Sequence, residues 1–142
     1  MSIWQGEITT DMVNDLGKNS LGEVFEIHFT EIGPDFMKAT MPVNNKTKQP
    51  FGLLHGGASV ALAETIGSVA SWCVVNRDLF IGVGIEINAN HVKSVTEGLV
   101  TAICKPIKIG GKVHVWDIRI TDQQQELCCV CRFTCMVVPK RK

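Results

Sequence analysis

A chain of 142 residues, 45% hydrophobic and 20% charged, can bury one core but not two good ones, so a single domain spanning 1–142 is expected. Fourteen basic residues balance fourteen acidic ones, which argues against a nucleic-acid binder. The longest apolar run, within 58–75, is broken by Ser59, Glu64, Thr65, Ser68 and Ser71 and reads as too polar for the membrane; MSIWQGEITTD lacks the basic-then-apolar order of a secretory signal, and a cytoplasmic protein is expected.

In chain order, TDMVNDLG (10–17) reads as a short helix capped by Thr10 or Asp11 and stopped by Gly17. EVFEIHFTEI (23–32) alternates as a strand does, Gly33-Pro34-Asp35 is a turn, and FMKATMPV (36–43) closes a hairpin. After a loop from Asn44 to Leu54, one long helix runs from about His55 to Asn76 and is nearly apolar all round. Four β-branched, apolar segments follow: 79–92, 98–110, 112–122 and 126–138. Gly110-Gly111 and Asp122 to Gln125 supply tight connections between them, and Gly82-Val83-Gly84 marks a bulge or a close backbone approach within a strand.

Two strands, one helix and four strands predict an α+β domain with the helix wrapped by a curved antiparallel sheet. One sheet cannot cover a helix that is apolar on every side. A second copy is therefore expected across a two-fold axis.

The chain holds six cysteines. Cys128, Cys129, Cys131 and Cys135 crowd one strand, with Cys129, Cys131 and Cys135 on one face. They show neither paired C-x2-C knuckles nor nearby histidines, so reduced core thiols are expected and no metal site.

The chemistry concentrates in QPFGLLHGGASVALAE (49–64). Glycines at a loop-to-helix junction permit close approach, and the free N–H groups of a first helical turn polarise a carbonyl placed there. Glu64 stands among Val60, Ala61, Leu62, Ala63 and Ile66, where a carboxylate needs a partner or a task, and Ser68 lies one turn on along the same face. His55 and Glu64 are about 13 Å apart along one helix, so a site using both draws them from different subunits. Gln49 offers an amide that donates and accepts. NHVKS (90–94) and KIGGKV (108–113) set basic side chains beside flexible backbone, a pattern that suits phosphates but by itself reads first as solvated lysines unless an anionic ligand is otherwise implied. His28 and His114 fall inside strand patterns and are read as packing or solvent-facing residues.

QPFGLLHGGASVALAETIGSVAS, INANHVKS and KVHVWDI together resemble the hotdog-fold acyl-CoA thioesterases, over nearly the whole chain. The resemblance implies that Glu64 activates water or attacks the thioester, that Gln49 and His55 place the water or thioester, that the Gly56 amide polarises the carbonyl, and that Ser68 positions the acyl group or water. It implies coenzyme A contacts at Gly84, at His91, Val92, Lys93 and Ser94, and at Lys108, Ile109, Gly110, Gly111, Lys112 and Val113, with an acyl pocket near Val69 and Trp72. No metal or redox cofactor is implied, because coenzyme A is part of the substrate. Aromatic acyl-CoA thioesters are expected, 1,4-dihydroxy-2-naphthoyl-CoA first among them. The alternatives are carrier-protein thioesters, a broad acyl-CoA range, and a non-catalytic acyl-CoA-binding protein. The assembly implied is a dimer with shared sites, paired into a tetramer.

Overall fold

In the computed structural model, which describes residues 1–142, the elements run α1 (Thr10–Leu16), α2 (Leu21–Val24), β1 (His28–Ile32), β2 (Met37–Pro42), α3 (Gly56–Val74), β3 (Phe80–His91), β4 (Leu99–Ile109), β5 (Val113–Thr121) and β6 (Leu127–Pro139). The six strands form one antiparallel sheet in the order β1-β2-β4-β5-β6-β3. The period of two turns one face of the strands towards α3: Met37, Ala39 and Met41 from β2, Val100, Ala102 and Cys104 from β4, Trp116, Ile118 and Ile120 from β5, and Cys129, Cys131, Phe133 and Cys135 from β6, all buried. Against them α3 sets Leu62, Ala63, Ile66, Ala70 and Cys73, also buried. Each large apolar side chain removed from water here contributes about 1.5–3 kcal/mol. At Gly67 a methyl carbon would stand 2.5 Å from Phe133 Cδ1, so the helix lies on β6 as closely as backbone allows.

The fold is the expected one, with four local corrections. The cap of α1 is Thr9, whose side chain accepts from the Met12 N–H, rather than Thr10 or Asp11. The strand expected over 23–32 is only His28–Ile32. Residues 21–24 are helical because Ser20 opens the turn and the Glu23 carboxylate folds back to accept the Asn19 N–H at 2.9 Å. The apolar alternation continued upstream without a ladder to join, and Glu26 turns the chain with φ of 56°. Third, Glu64, expected among buried residues, is exposed, on a half-exposed stripe of α3 through Ala61, Thr65, Ser68, Val69 and Trp72 that the sheet leaves uncovered as expected. Finally, α3 does have the length and mean hydropathy (19 residues, 1.2) of a membrane span, yet half of it is buried in the protein and the sheet supplies its cover.

All six cysteines are buried free thiols. The two sheet edges differ. Strand β1 is five residues long and its Phe29 is occupied by Asn14, whose Nδ2 donates to the Phe29 carbonyl at 3.0 Å while its Oδ1 accepts the Phe29 N–H at 2.8 Å. Strand β3 is twelve residues long, pairs only with β6, bulges between Gly84 and Glu86, and leaves Ile81, Val83 and Ile85 exposed by 39, 43 and 52%.

Candidate active site

The loop entering α3 is held by its own backbone. Thr47, buried, donates its hydroxyl to the Pro42 carbonyl at 2.8 Å and accepts the Asn44 N–H at 3.0 Å, while its carbonyl accepts the His55 N–H at 2.8 Å. The Gln49 side-chain oxygen accepts the N–H groups of Phe51 and Leu53. Its NH2 is therefore the end left to donate outward.

His55 is the N-cap of α3, its Nδ1 accepting the Gly57 N–H at 2.8 Å. Accepting there leaves the ring proton on Nε2, so the ring offers its surroundings a donor. The Gly56 N–H, first in the helix, has no acceptor within the chain and carries the partial positive charge of the helix start. A methyl carbon on Gly56 would stand 2.9 Å from His91 Nε2; glycine is required because the imidazole lies against it. A cavity of about 400 Å³ opens here, lined by Gln49, Leu54, Gly56, His91, Lys93 and Ser94 among others. Two stretches far apart in sequence, 49–56 and 91–94, are thus brought together.

Glu64 is not part of this cavity. Its carboxylate is exposed rather than buried, enters no ion pair within the chain and leans on the bare edge strand. A methyl carbon on Gly84 would meet Glu64 Oε1 at 2.9 Å and Phe133 Cε2 at 2.9 Å. Ser68 shares the stripe of Glu64 without a hydrogen bond to it. On the other flank of the stripe, Thr65 and Val69 border a cleft of about 100 Å³ closed by Val13, Leu16, Gly22 and Phe29. Trp72 lies outside that cleft, under the Arg77 guanidinium at 4.8 Å.

The β4–β5 turn closes through the Gly110 N–H to the Val113 carbonyl at 2.9 Å, and the Val137 N–H holds the Lys112 carbonyl at 2.8 Å. Lys108 and Lys112 extend from it exposed and without ion pairs, beside exposed Ile109 and Gly111 and half-buried Gly110 and Val113. Lys93 differs: it is paired with Asp122 and Glu126. Its hydrogen bond, with those of the Glu126 and Gln124 amides, holds the Asp122 carboxyl below the usual range, and the same two carboxylates raise the Lys93 ammonium.

Two polar contacts carry no motif in the sequence. The Ser71 hydroxyl accepts Trp116 Nε1–H at 2.8 Å and lies 3.1 Å from His114 Nδ1, all three buried, and burial pulls His114 below the ordinary histidine value. The only sequence signal was alternation in KVHVWDI, which puts His114 and Trp116 on one strand face. Cys129 Sγ lies 3.5 Å from His91 Nδ1 and 3.5 Å from Cys131 Sγ.

A profile described as the thioesterase superfamily matches residues 51–129. A 1,4-dihydroxy-2-naphthoyl-CoA hydrolase from Escherichia coli (strain K12) is 48% identical over 136 residues, covering 96% of this chain and 99% of that protein. The proofreading thioesterase EntH from Cronobacter turicensis is 43% identical, covering 96% and 98%. The crystal structure of a mutant thioesterase PA1618 from Pseudomonas aeruginosa superposes with a TM-score of 0.96 at 42% identity, covering 98% of this chain and all of that one.

Proposed function

The chain belongs to the thioesterase superfamily, has its hotdog fold and is a thioester hydrolase, and on that premise we propose that it cleaves aromatic acyl-CoA thioesters, 1,4-dihydroxy-2-naphthoyl-CoA foremost, in a site shared by two copies. One observation carries this reading. Within one chain the free Gly56 N–H and the Gln49 amide stand at the start of α3, whereas Glu64 lies about two and a half turns up the helix against the edge strand β3. Pairing β3 with its counterpart across a two-fold axis would satisfy the free backbone edge of that strand and set the exposed Ile81, Val83 and Ile85 beside their counterparts. It also lets the Glu64 of one copy face the helix start of the other.

In the proposed reaction the thioester carbonyl accepts the Gly56 N–H, with the His55 Nε2–H and the Gln49 NH2 placing the thioester and water. Either Glu64 takes a proton from water as its oxygen adds to the carbonyl carbon, or the carboxylate adds itself and the resulting anhydride is hydrolysed. In both routes negative charge grows on the carbonyl oxygen, where a fixed N–H is worth about 2.7–4 kcal/mol. Collapse breaks the C–S bond, and the thiolate of coenzyme A leaves and is protonated. Ser68 steadies the acyl group or water, and the acyl group extends towards the cleft at Val69. The backbone of 84, 91–94 and 108–113 holds the coenzyme, whose phosphates suit Lys108 and Lys112. The chemistry calls on no metal and no redox cofactor. Six reduced thiols suit a cytoplasmic setting, and exposed Ile107, Ile109 and Met136 offer dimers a surface for pairing into tetramers.

The test is thiol release from benzoyl-CoA, 1,4-dihydroxy-2-naphthoyl-CoA and a long-chain acyl-CoA, with the same acyl groups on a carrier protein in parallel. Preference for carrier thioesters would favour the role named for the Cronobacter relative. Glu64→Gln is expected to lower turnover at least about a hundredfold; release from no substrate, or survival of activity in this variant, sinks the reading.

A further inference from the structure

Lys93 has the sequence context of a phosphate ligand, and its surroundings in the fold give it a different task. Asp122, 8% exposed, accepts the N–H groups of Gln124 at 2.9 Å and Glu126 at 3.0 Å and takes the Lys93 ammonium on its other oxygen. Glu126 takes the same ammonium from the solvent side. A carboxylate so enclosed needs its cation, since an unpaired charge there is costly. Two carboxylates around one ammonium also leave a net negative charge, which repels a pyrophosphate instead of drawing it in.

The segment carrying Lys93 is tied to the helix start on both sides of that residue. Before it, the His91 ring lies against Gly56. After it, the Val95 carbonyl accepts the Leu54 N–H at 2.8 Å. The Val92 N–H donates to the Cys128 carbonyl at 2.8 Å and keeps the segment along β6. Only the Lys93 side chain ties this segment to the β5–β6 turn by charge.

We infer that Lys93 is a positioning residue: its ion pair with Asp122 and Glu126 clamps residues 91–95 to the β5–β6 turn and so fixes the wall of the cavity at the start of α3, while the phosphate-binding charge resides on Lys108 and Lys112. The inference rests on the thioester-hydrolase reading of that cavity. Phosphate ligation at residue 93 and clamping by residue 93 differ in what they require of Asp122. A ligand would be set free by loss of the carboxylate, whereas a clamp would be broken by it.

The experiment compares Lys93→Met, Asp122→Asn, Lys93→Arg and Lys112→Met in thiol release over a series of salt concentrations, with backbone hydrogen exchange on the same proteins. Lys93→Met and Asp122→Asn are expected to act alike, each lowering kcat about tenfold or more through lost geometry. Both should speed exchange at 91–95 and Leu54 and leave the salt dependence of KM unchanged. Lys93→Arg, which spans two carboxylates, restores both readouts. Lys112→Met raises KM at low salt, flattens its salt dependence and leaves exchange at 91–95 unchanged. The inference is overturned if Lys93→Met flattens the salt dependence as Lys112→Met does, if Asp122→Asn lowers KM, or if exchange at 91–95 does not change in either clamp variant. Hydrogen exchange decides the clamp even for a protein that releases no thiol, a result that would sink the functional reading separately.

Discussion

Gly82 and Gly84 sit two residues apart on the inward face of β3, and adding one methyl group to each separates packing from chemistry. In Gly84→Ala the new carbon stands 2.9 Å from both Glu64 Oε1 and Phe133 Cε2, and 3.1 Å from Phe133 Cζ. Comfortable carbon contacts begin at about 3.5 Å, so neighbours must yield by about 0.6 Å. Phe133 is fully buried and resists, which leaves the strand and the Glu64 carboxylate to move. Overpacking of this kind costs about 1–3 kcal/mol, each kcal/mol lowering Tm by about 2–4 °C at this size. A displaced reacting group loses up to about a hundredfold per ångström, so kcat should fall about tenfold or more. Gly82→Ala is the control: its carbon stands 2.8 Å from Cys135 Sγ and 3.4 Å from Ser71 Cβ, so a comparable stability loss is expected with kcat within about twofold of the parent. Thermal melts and thiol-release kinetics on the two variants form the assay. Equal kcat for both, or a Gly84→Ala enzyme at full turnover, would refute the placement of Glu64 against β3 as the working geometry.

His114 is held neutral by burial, so the folded state binds fewer protons than the unfolded chain once pH drops towards the ordinary histidine value of about 6.5. Stability is therefore complete above that pH and falls on acidification through it, and urea midpoints should show a smaller fall between neutral and mildly acid pH for His114→Gln. Asn14→Ala leaves the Phe29 N–H and carbonyl without partners and should cost about 1–3 kcal/mol in denaturant titration. Val83→Lys, which puts a charge on the exposed apolar edge, should yield a folded monomer by sedimentation with little turnover. A dimer at full activity would contradict pairing through β3.

Strand and helix order was legible because two periods, two and 3.6, leave clear marks in β-branched and apolar residues. The departures arise where a local contact outweighs the pattern. Val24, Phe25 and Ile27 continued the alternation of β1, but Ser20 and Glu23 opened a helical turn across it. The cap of α1 moved one residue because Thr9, not Thr10, adopts the extended backbone from which a side chain reaches the N–H three residues on. At the site, glycine at 56, 57 and 84 was readable as a need for space, though not what fills it: His91 at 56, His55 at 57, Glu64 at 84. Lys93 looked like Lys108 and Lys112 in sequence, since a string of letters does not show that Asp122 and Glu126, some thirty residues later, return to its side chain. The exposure of Glu64 escaped for a related reason. Apolar neighbours in sequence mark that a helix has a buried face but not which residues lie on it, and Glu64 falls on the half-exposed stripe.

The unlike edges of the sheet would limit how far it could be extended by further copies. A sheet with two open ends can recruit copies without limit and grow into a fibre, whereas one with a stopper at one end and a free ladder at the other can join only a single counterpart, open end to open end. The Asn14 amide, occupying Phe29 like one more strand residue, is such a stopper, and short β1 leaves little ladder beyond it. Head-to-head pairing through β3 would consume the only long free ladder. Extension of the sheet would then end at two chains, with no edge left as a template for a third, whatever other faces of the dimer do.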